Sequence, residues 1–295
     1  VSDSLDVVYS TTHGQDLHLD IYQPTSPSDH RTAVLLVHGG GFRQGDRKLL
    51  APRCAALARR GFAAIAVQYR LINDTTTTWP DPLDDLQEAI SWTAAHAQEI
   101  GVEADRIVVQ GHSAGAQLAL MAAAAADKLE ARIAAVIAYY PLVEFVIRDM
   151  PALPTDGPPT PEIMAEMIQA ARGEDGTTPA SMLLGPAATE EQAAQASPIN
   201  QVNSALPPTL IFAGTDDMVV APAASFRLFE ALRAAGVTAE LHILADSLHE
   251  FDATPSLLEP AVAVMESFLH RIVLDPAGFA EEEATHNPLA ALGRP

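Results

Sequence analysis

Cysteine is almost absent: Cys54 stands alone, so the chain can form no internal disulfide and no metal site built from several thiolates. Basic residues are scarce too, with 17 Lys and Arg against 38 Asp and Glu, a formal charge of −21. A nucleic-acid surface needs a basic footprint, and no run of Lys or Arg offers one, so no nucleic-acid partner is expected. The same imbalance repels anionic lipid and polyanionic substrates while favouring solubility. No stretch reaches the roughly 18 successive apolar residues of a membrane span. The longest candidate, residues 114–126, contains Gln117 and reads as a buried helix, so no stable membrane insertion is expected. The chain starts at Val1 rather than Met, which reads as a trimmed start, and no apolar targeting segment is present. A lone cysteine suits the cytoplasm, the compartment expected here, although a trimmed start would equally suit export.

What is present is a globular balance, 48% hydrophobic and 19% charged over 295 residues. Short β-branched runs alternate with Ala/Leu-rich stretches, the pattern of a largely parallel sheet covered by helices. Residues 7–10 and 17–22 read as an entry hairpin turning near His13 and Gly14, with 24–29 as a loop. Residues 33–37, 63–67, 107–109, 133–138, 210–212 and 241–244 are apolar runs of the kind buried on both faces. Residues 49–59, 83–97, 114–126 and 221–235 have helical composition, and 260–271 reads as a final helix. There is no internal repeat and no domain-sized shift in composition.

Two stretches break the alternation. Residues 145–197 are too long for a plain loop between strands. They begin Pro-rich (Pro151, Pro154, Pro158, Pro159, Pro161) and continue with Ile163, Met164, Met167 and Ile168 at helical spacing. The segment reads either as a surface excursion with its own small apolar contact or as a lid over a pocket. Its adaptable Met side chains and the motifs described next favour the lid. The end of the chain, residues 274–295, is acidic and rich in Pro and Ala, and reads as a docked or frayed tail.

The strongest chemical signal is Gly111-His112-Ser113-Ala114-Gly115, directly after the run Arg-Ile-Val-Val-Gln at 106–110 and directly before the Ala/Leu-rich helix. Strand, Gly-x-Ser-x-Gly, helix is the context of a nucleophile elbow, in which small neighbours permit a strained turn that lifts the hydroxyl above the sheet. The flanking strand and helix argue against a functionless glycine turn. The second signal, His38-Gly39-Gly40-Gly41-Phe42, follows the strand at 33–37. Consecutive glycines let backbone N–H groups approach a ligand oxygen, and beside an elbow they read as an oxyanion-hole loop rather than a flexible linker. A serine nucleophile needs a base, and the base an orienting carboxylate. His249, in the loop after the strand ending at Leu244, is the best placed histidine. His18 and His242 lie within strands, and His30, His96, His270 and His286 sit in polar surroundings. His38 and His112 are expected to anchor the turns they belong to. Asp216 and Asp217 follow the strand that precedes Gly214, and the residues alone leave the choice between them open. The order serine, aspartate, histidine is that of α/β-hydrolases, and all three lie beyond the carboxyl ends of strands.

Together these motifs resemble the α/β-hydrolase superfamily in its hormone-sensitive-lipase-like and bacterial feruloyl-esterase-like esterase branch. The resemblance extends over Leu-x-Leu-Asp-x-Tyr-x-Pro at 17–24, Gln68-Tyr69-Arg70-Leu71, Ala196-Ser197-Pro198-Ile199, Pro207-Pro208-Thr209-Leu210-Ile211 and 214–217. It implies an α/β-hydrolase fold: a mostly parallel eight-stranded sheet with helices on both faces and a small lid insertion. The core would span 1–144 and 198–274, with a lid at 145–197 and a tail at 275–295. It further implies Ser113 as nucleophile, His249 as general base and Asp217 as acid with Asp216 as fallback. The oxyanion donors would be the N–H groups of Gly40, Gly41 and Ala114. An acyl pocket is expected between the Phe42 loop and residues 151–168, with Phe42, Met164 and Met167 as substrate-binding candidates. Where many esterases of this branch carry a second glycine after the elbow, this chain has Ala116, a Ser-Ala-Gly-Ala form similar to kynurenine-formamidase-like relatives. The expected function is therefore a serine carboxylesterase acting on uncharged short-to-medium acyl esters, with aryl-formamide hydrolysis as the alternative. A non-catalytic binding module of the same fold and an acyltransferase are the remaining readings. No cofactor or metal is called for; the partner is a small-molecule ester, and the last helix or edge strand offers a surface for a homodimer.

Overall fold

The computed structural model describes residues 3–11, 14–25, 30–73, 75–126, 129, 131–148 and 160–290, without the side chains of Met164, Met167, Ile168 and Ala171. In chain order the described strands are β1 (Ser4–Ser10), β2 (Leu17–Tyr22), β3 (Ala33–Val37), β4 (Ala63–Val67), β5 (Ile107–His112), β6 (Ile133–Tyr139), β7 (Phe145–Val146), β8 (Thr178–Pro179), β9 (Thr209–Gly214) and β10 (Ala239–Leu244). The helices are α1 (Ala51–Arg59), α2 (Asp81–Ala95), α3 (Ala97–Ile100), α4 (Ala114–Ala124), α5 (Pro161–Ala171), α6 (Ser181–Leu184), α7 (Glu190–Ala196), α8 (Ala223–Ala234), α9 (Pro255–Leu269) and α10 (Pro276–His286).

Eight strands form one sheet in the order β1-β2-β4-β3-β5-β6-β9-β10. Pairing is parallel from β4 through β10 and antiparallel where β2 meets β1 and β4. The apolar runs are unbroken in β3, β4 and β6 because helices cover both faces, and every residue of these strands is buried. Alternate side chains go to opposite sides, as the strand period requires. Val34, Leu36, Ala64, Ile137 and Phe212 meet Leu57 of α1 and Val262, Met265 and Phe268 of α9. Leu35, Val37, Ile65, Val109 and Ile211 meet Leu86 and Ile90 of α2, Leu118 of α4 and Leu228 of α8. Helix α4 is apolar on every side apart from Gln117, and its residues from Ala114 to Ala123 are all buried, as befits a helix at the centre of one layer. This is the α/β-hydrolase architecture expected from the sequence.

Several element boundaries differ from the sequence reading, three of them with a local cause. The stretch before α1 is a separate 3-10 turn, Arg47–Leu50, because the Asp46 side chain accepts the Lys48 N–H and starts a tighter turn there. Helix α9 begins at Pro255, not Pro260. Pro255 occupies the first turn, where its missing N–H costs nothing, and Pro260 is carried inside the helix. The tail contains a helix, α10. The Asp275 side chain accepts the Gly278 N–H at 2.9 Å, Pro276 opens the helix, and the Arg271 guanidinium lies 5.6 Å over the Phe279 ring.

Between β6 and β9 the short parallel pair β7–β8 is followed by α6 and α7, with α5 ahead of β8. Helix α5 is the one read from Ile163, Met164, Met167 and Ile168; Pro151, Pro154, Pro158 and Pro159 lie outside the described residues, as does His13 of the first hairpin. The segment is tied to the sheet layers at both ends. The Phe145 N–H donates to Ser197 Oγ at 2.8 Å, Gln117 Nε2 of α4 donates to the Ala196 carbonyl at 2.8 Å, and Arg227 of α8 pairs with Glu144 and donates to the Asp175 carbonyl at 3.1 Å. Among the described residues no helix is long and apolar enough to cross a membrane.

Candidate active site

Ser113 sits between β5 and α4 at φ 54°, ψ −117°, a conformation that side-chain-bearing residues rarely adopt. Its N–H donates to the Tyr139 carbonyl at 3.0 Å, which ties the turn to the end of β6. The two glycines of the motif are dictated by space. A Cβ on Gly111 would fall 2.2 Å from the Gly115 carbonyl oxygen, and one on Gly115 would fall 2.3 Å from that of Val37. Helix α4 therefore begins pressed against β3, with its first N–H groups beside the Ser113 side chain.

The loops after β9 and β10 bring the other two polar groups to this serine. His249 Nε2 lies 3.0 Å from Ser113 Oγ, and His249 Nδ1 lies 2.7 Å from Asp217 Oδ2. A carboxylate only accepts, so Nδ1 carries the proton on that side and Nε2 is left to accept the serine O–H. The other Asp217 oxygen accepts the N–H groups of Val219 and Val220, each at 2.8 Å, and the carboxylate is almost completely buried. Asp216 is exposed and accepts from the hydroxyl of Thr215, with no contact to the imidazole. Ser113, Asp217 and His249 thus form one hydrogen-bonded chain, and Asp216 stands outside it.

The glycine loop lies alongside. Gly40 has φ 115°, and a Cβ there would fall 2.0 Å from the Gln44 carbonyl oxygen, while the Gly40 carbonyl accepts the N–H groups of Arg43 and Gln44. The turn so closed leaves the N–H groups of Gly40 and Gly41, and that of Ala114 at the start of α4, without a protein acceptor among the described residues. His38 holds the base of this loop. Its ring stacks on Tyr69 at 4.3 Å, its carbonyl accepts the Tyr69 hydroxyl at 3.0 Å, and its Nδ1 lies 2.7 Å from the Gly39 carbonyl. Burial pushes the His38 imidazole below its usual pKa, against the opposing pull of the Gly39 carbonyl. Phe42 is fully buried, its ring 6.3 Å from that of Phe145 where the insertion begins. The side chains of Met164 and Met167 lie outside the described ones.

A second buried cluster lies behind the histidine, and the sequence reading did not find it. Asp252 is 1% exposed and pairs with Arg53 of α1, with the Tyr140 hydroxyl at 2.5 Å and with His112 Nε2 at 3.2 Å. Burial alone would raise the Asp252 carboxyl, but His112 and Arg53 hold it well below the usual carboxylate range. The Tyr140 hydroxyl is pushed well above its usual pKa, first by burial and then by Asp252, so it stays a donor. The visible signal was a sequence-adjacent one, an acid three positions after the candidate base; its cation, Arg53, comes from a helix remote in the chain. His30 and His96, read as lying in polar surroundings, instead stack on Phe62 and Trp92 with ring centroids 4.9 and 4.0 Å apart.

Comparison with known proteins finds esterases among relatives of the same fold. The sequence model of the BD-FAE family matches residues 19–232. The chain is similar to the probable carboxylic ester hydrolase LipM of Mycobacterium tuberculosis, 26% identical over 96% of this chain and 63% of LipM. It is also similar to the esterase LipQ of the same organism, 26% identical over 85% of this chain and 58% of LipQ. The chain thus spans less than two thirds of the length of these curated relatives. Among solved structures, the propionate-bound Est2 esterase of Thermogutta terrifontis superposes with a TM-score of 0.67 at 27% identity, covering 90% of this chain and 93% of that one. The same esterase phosphorylated by paraoxon covers 94% of this chain and 95% of its own, with a TM-score of 0.67 at 25% identity.

Proposed function

Since the chain belongs to the BD-FAE family of α/β-hydrolases, we propose that it is a serine carboxylic-ester hydrolase acting on uncharged short-to-medium acyl esters. The observation that carries this reading is the unbroken chain from Ser113 Oγ through His249 to Asp217, with hydrogen bonds of 3.0 and 2.7 Å, beside N–H groups that have no protein acceptor among the described residues. Fold alone would not suffice, because this architecture hosts many unrelated activities.

In the reaction His249 Nε2 takes the Ser113 proton as the oxygen attacks the ester carbonyl carbon. Asp217 holds the imidazole in the tautomer that can accept that proton and stabilises the imidazolium formed. The carbonyl oxygen gains the negative charge and meets the N–H groups of Gly40, Gly41 and Ala114, donors of a kind worth about 3 kcal/mol each when aimed at the developing oxyanion. Collapse breaks the bond to the alcohol oxygen, which leaves with the proton from His249. Water then loses a proton to His249 and attacks the acyl-enzyme, and the acid departs as Ser113 recovers its proton. The insertion, of which residues 145–148 and 160–197 are described, is the lid of this reading and packs against the Phe42 loop through Phe145.

The test is hydrolysis of p-nitrophenyl acetate and longer acyl homologues by wild type and Ser113→Ala. Wild type should turn over, and the variant should lose at least about a thousandfold while keeping its fold by circular dichroism. A fluorophosphonate probe should label wild type at Ser113 and leave Ser113→Ala unlabelled. Undiminished turnover in Ser113→Ala would remove the assignment. N-Formylkynurenine belongs in the same panel, because Ala116 gives the elbow its formamidase-like form.

A further inference from the structure

The cluster behind His249 is built against the imidazole of the proposed base. Tyr140 follows β6 at φ 39°, an uncommon backbone conformation for a residue of this size, with its N–H donated to the Phe212 carbonyl at 2.7 Å. This bend turns the phenol ring against the His249 ring, with centroids 4.4 Å apart and planes tilted by 55°. The chain after His249 then doubles back. Glu250 takes φ 59°, Phe251 sets its edge on Tyr140 at 5.6 Å and 81°, and Asp252 accepts the Tyr140 hydroxyl. His249, Phe251 and Asp252 therefore hold one tyrosine by its ring and its hydroxyl.

Asp252 is itself fixed from two other directions. Arg53 reaches it from α1, and His112, the residue preceding the nucleophile, reaches it from the end of β5. His112 Nδ1 lies 3.3 Å from the Val37 carbonyl, the strand end that leads into the glycine loop. The neighbouring Tyr139 accepts the Ser113 N–H on its carbonyl and stacks on His112 at 5.0 Å. One buried carboxylate thus joins the segments bearing the nucleophile, the base and the oxyanion loop.

Resting on the serine-hydrolase reading, we propose that Tyr140 and Asp252 are positioning residues: the Asp252-held phenol ring is the backing plate that keeps His249 Nε2 in line with Ser113 Oγ. His249 must accept a proton in one direction and deliver it to a leaving alcohol in a slightly different one, so small rotations of its ring are costly. Asp217 fixes only one atom of that ring, Nδ1, and leaves rotation about the Nδ1 hydrogen bond open. The Tyr140 face closes off that rotation, and its hydroxyl, anchored on a carboxylate held by Arg53, prevents the plate itself from turning. Hydrogen bonds to a charged, buried acceptor are the stronger kind, which suits a rigid mount.

The experiment is turnover per titrated active site, with sites counted by a fluorophosphonate run to completion. Tyr140→Phe keeps the ring and removes only its bond to Asp252. Its kcat per titrated site should fall about tenfold, with KM within about twofold of wild type, as expected for a misaimed base rather than a lost binding contact. Asp252→Asn should fall at least as far; if it does not fold, Tyr140→Phe decides alone. A merely structural role would lower the melting temperature and the number of titratable sites while leaving turnover per site at the wild-type value, and that outcome overturns the proposal. A wild type with no titratable serine would instead bring down the hydrolase reading, and this proposal with it.

Discussion

Asp216 and Asp217 are identical in chemistry and adjacent in sequence, and their surroundings give them opposite fates. One faces solvent against a threonine hydroxyl; the other is buried, receives the Val219 and Val220 N–H groups and touches His249. Asp217→Asn would keep the shape and still accept at its oxygen, but its amide can offer a donor to Nδ1 and favour the wrong imidazole tautomer. Turnover should then fall by about ten-thousandfold. Asp216→Asn should stay within about threefold of wild type, since an exposed group distant from the reacting atoms contributes little. Steady-state kinetics on one p-nitrophenyl ester decides, and the reverse ranking would transfer the role. At this scale the sequence was legible where a residue's neighbours restricted it. The elbow serine and glycine loop could be recognised because glycine is required there by space. Tyr140 and Asp252 could not, because nothing in a Tyr-Tyr-Pro or Glu-Phe-Asp string announces that the two will meet.

Elements were legible where burial is two-sided. Strands β3 and β4 coincide with the apolar runs read for them, since a strand covered on both faces must be apolar throughout. Strand β10 is half-exposed along its whole length, and its first two residues, Ala239 and Glu240, fall outside the run read at 241–244. The tail helix α10 has no buried residue and owes its start to Asp275 and Pro276, a local signal masked by an acidic, Ala-rich composition. An exacting junction is where α4 meets β3. Gly115→Ala would drive a methyl to 2.3 Å from the Val37 carbonyl oxygen and 2.5 Å from that of His38, and both obstacles are backbone. The helix must back away from the strand, carrying the Ala114 N–H and the serine with it. Overpacking of this kind costs about 1–3 kcal/mol, so the melting temperature should drop by several degrees and esterase turnover by at least about a hundredfold. An alanine variant with wild-type kcat would show that the contact is not what sets the elbow.

For the whole molecule, the excess of acid sets up a competition on acidification. Protonating surface carboxylates relieves the self-repulsion of a chain carrying a formal −21, which by itself would favour the folded state as pH falls from 7. The buried groups work in the opposite direction. His38 has a folded pKa below its unfolded value because burial disfavours the cation, so the unfolded chain binds the extra proton first. Its contribution is fully present above about pH 6.5, the unfolded histidine value, and is lost as pH falls below it. Asp252 has its folded pKa depressed by His112 and Arg53 against the cost of burial, so its contribution is present above about pH 4 and drains away below that. Melting temperatures of wild type and His38→Gln measured from pH 8 to pH 5 isolate the first effect, since glutamine does not titrate. The variant should melt lower throughout, because the stacking on Tyr69 is lost, and its deficit should shrink as the pH passes below 6.5. A deficit that stays constant, or widens, across that interval would mean that His38 is not held neutral in the fold. The glycine loop it supports would then owe its rigidity to the Tyr69 hydroxyl and the Gly40 turn instead.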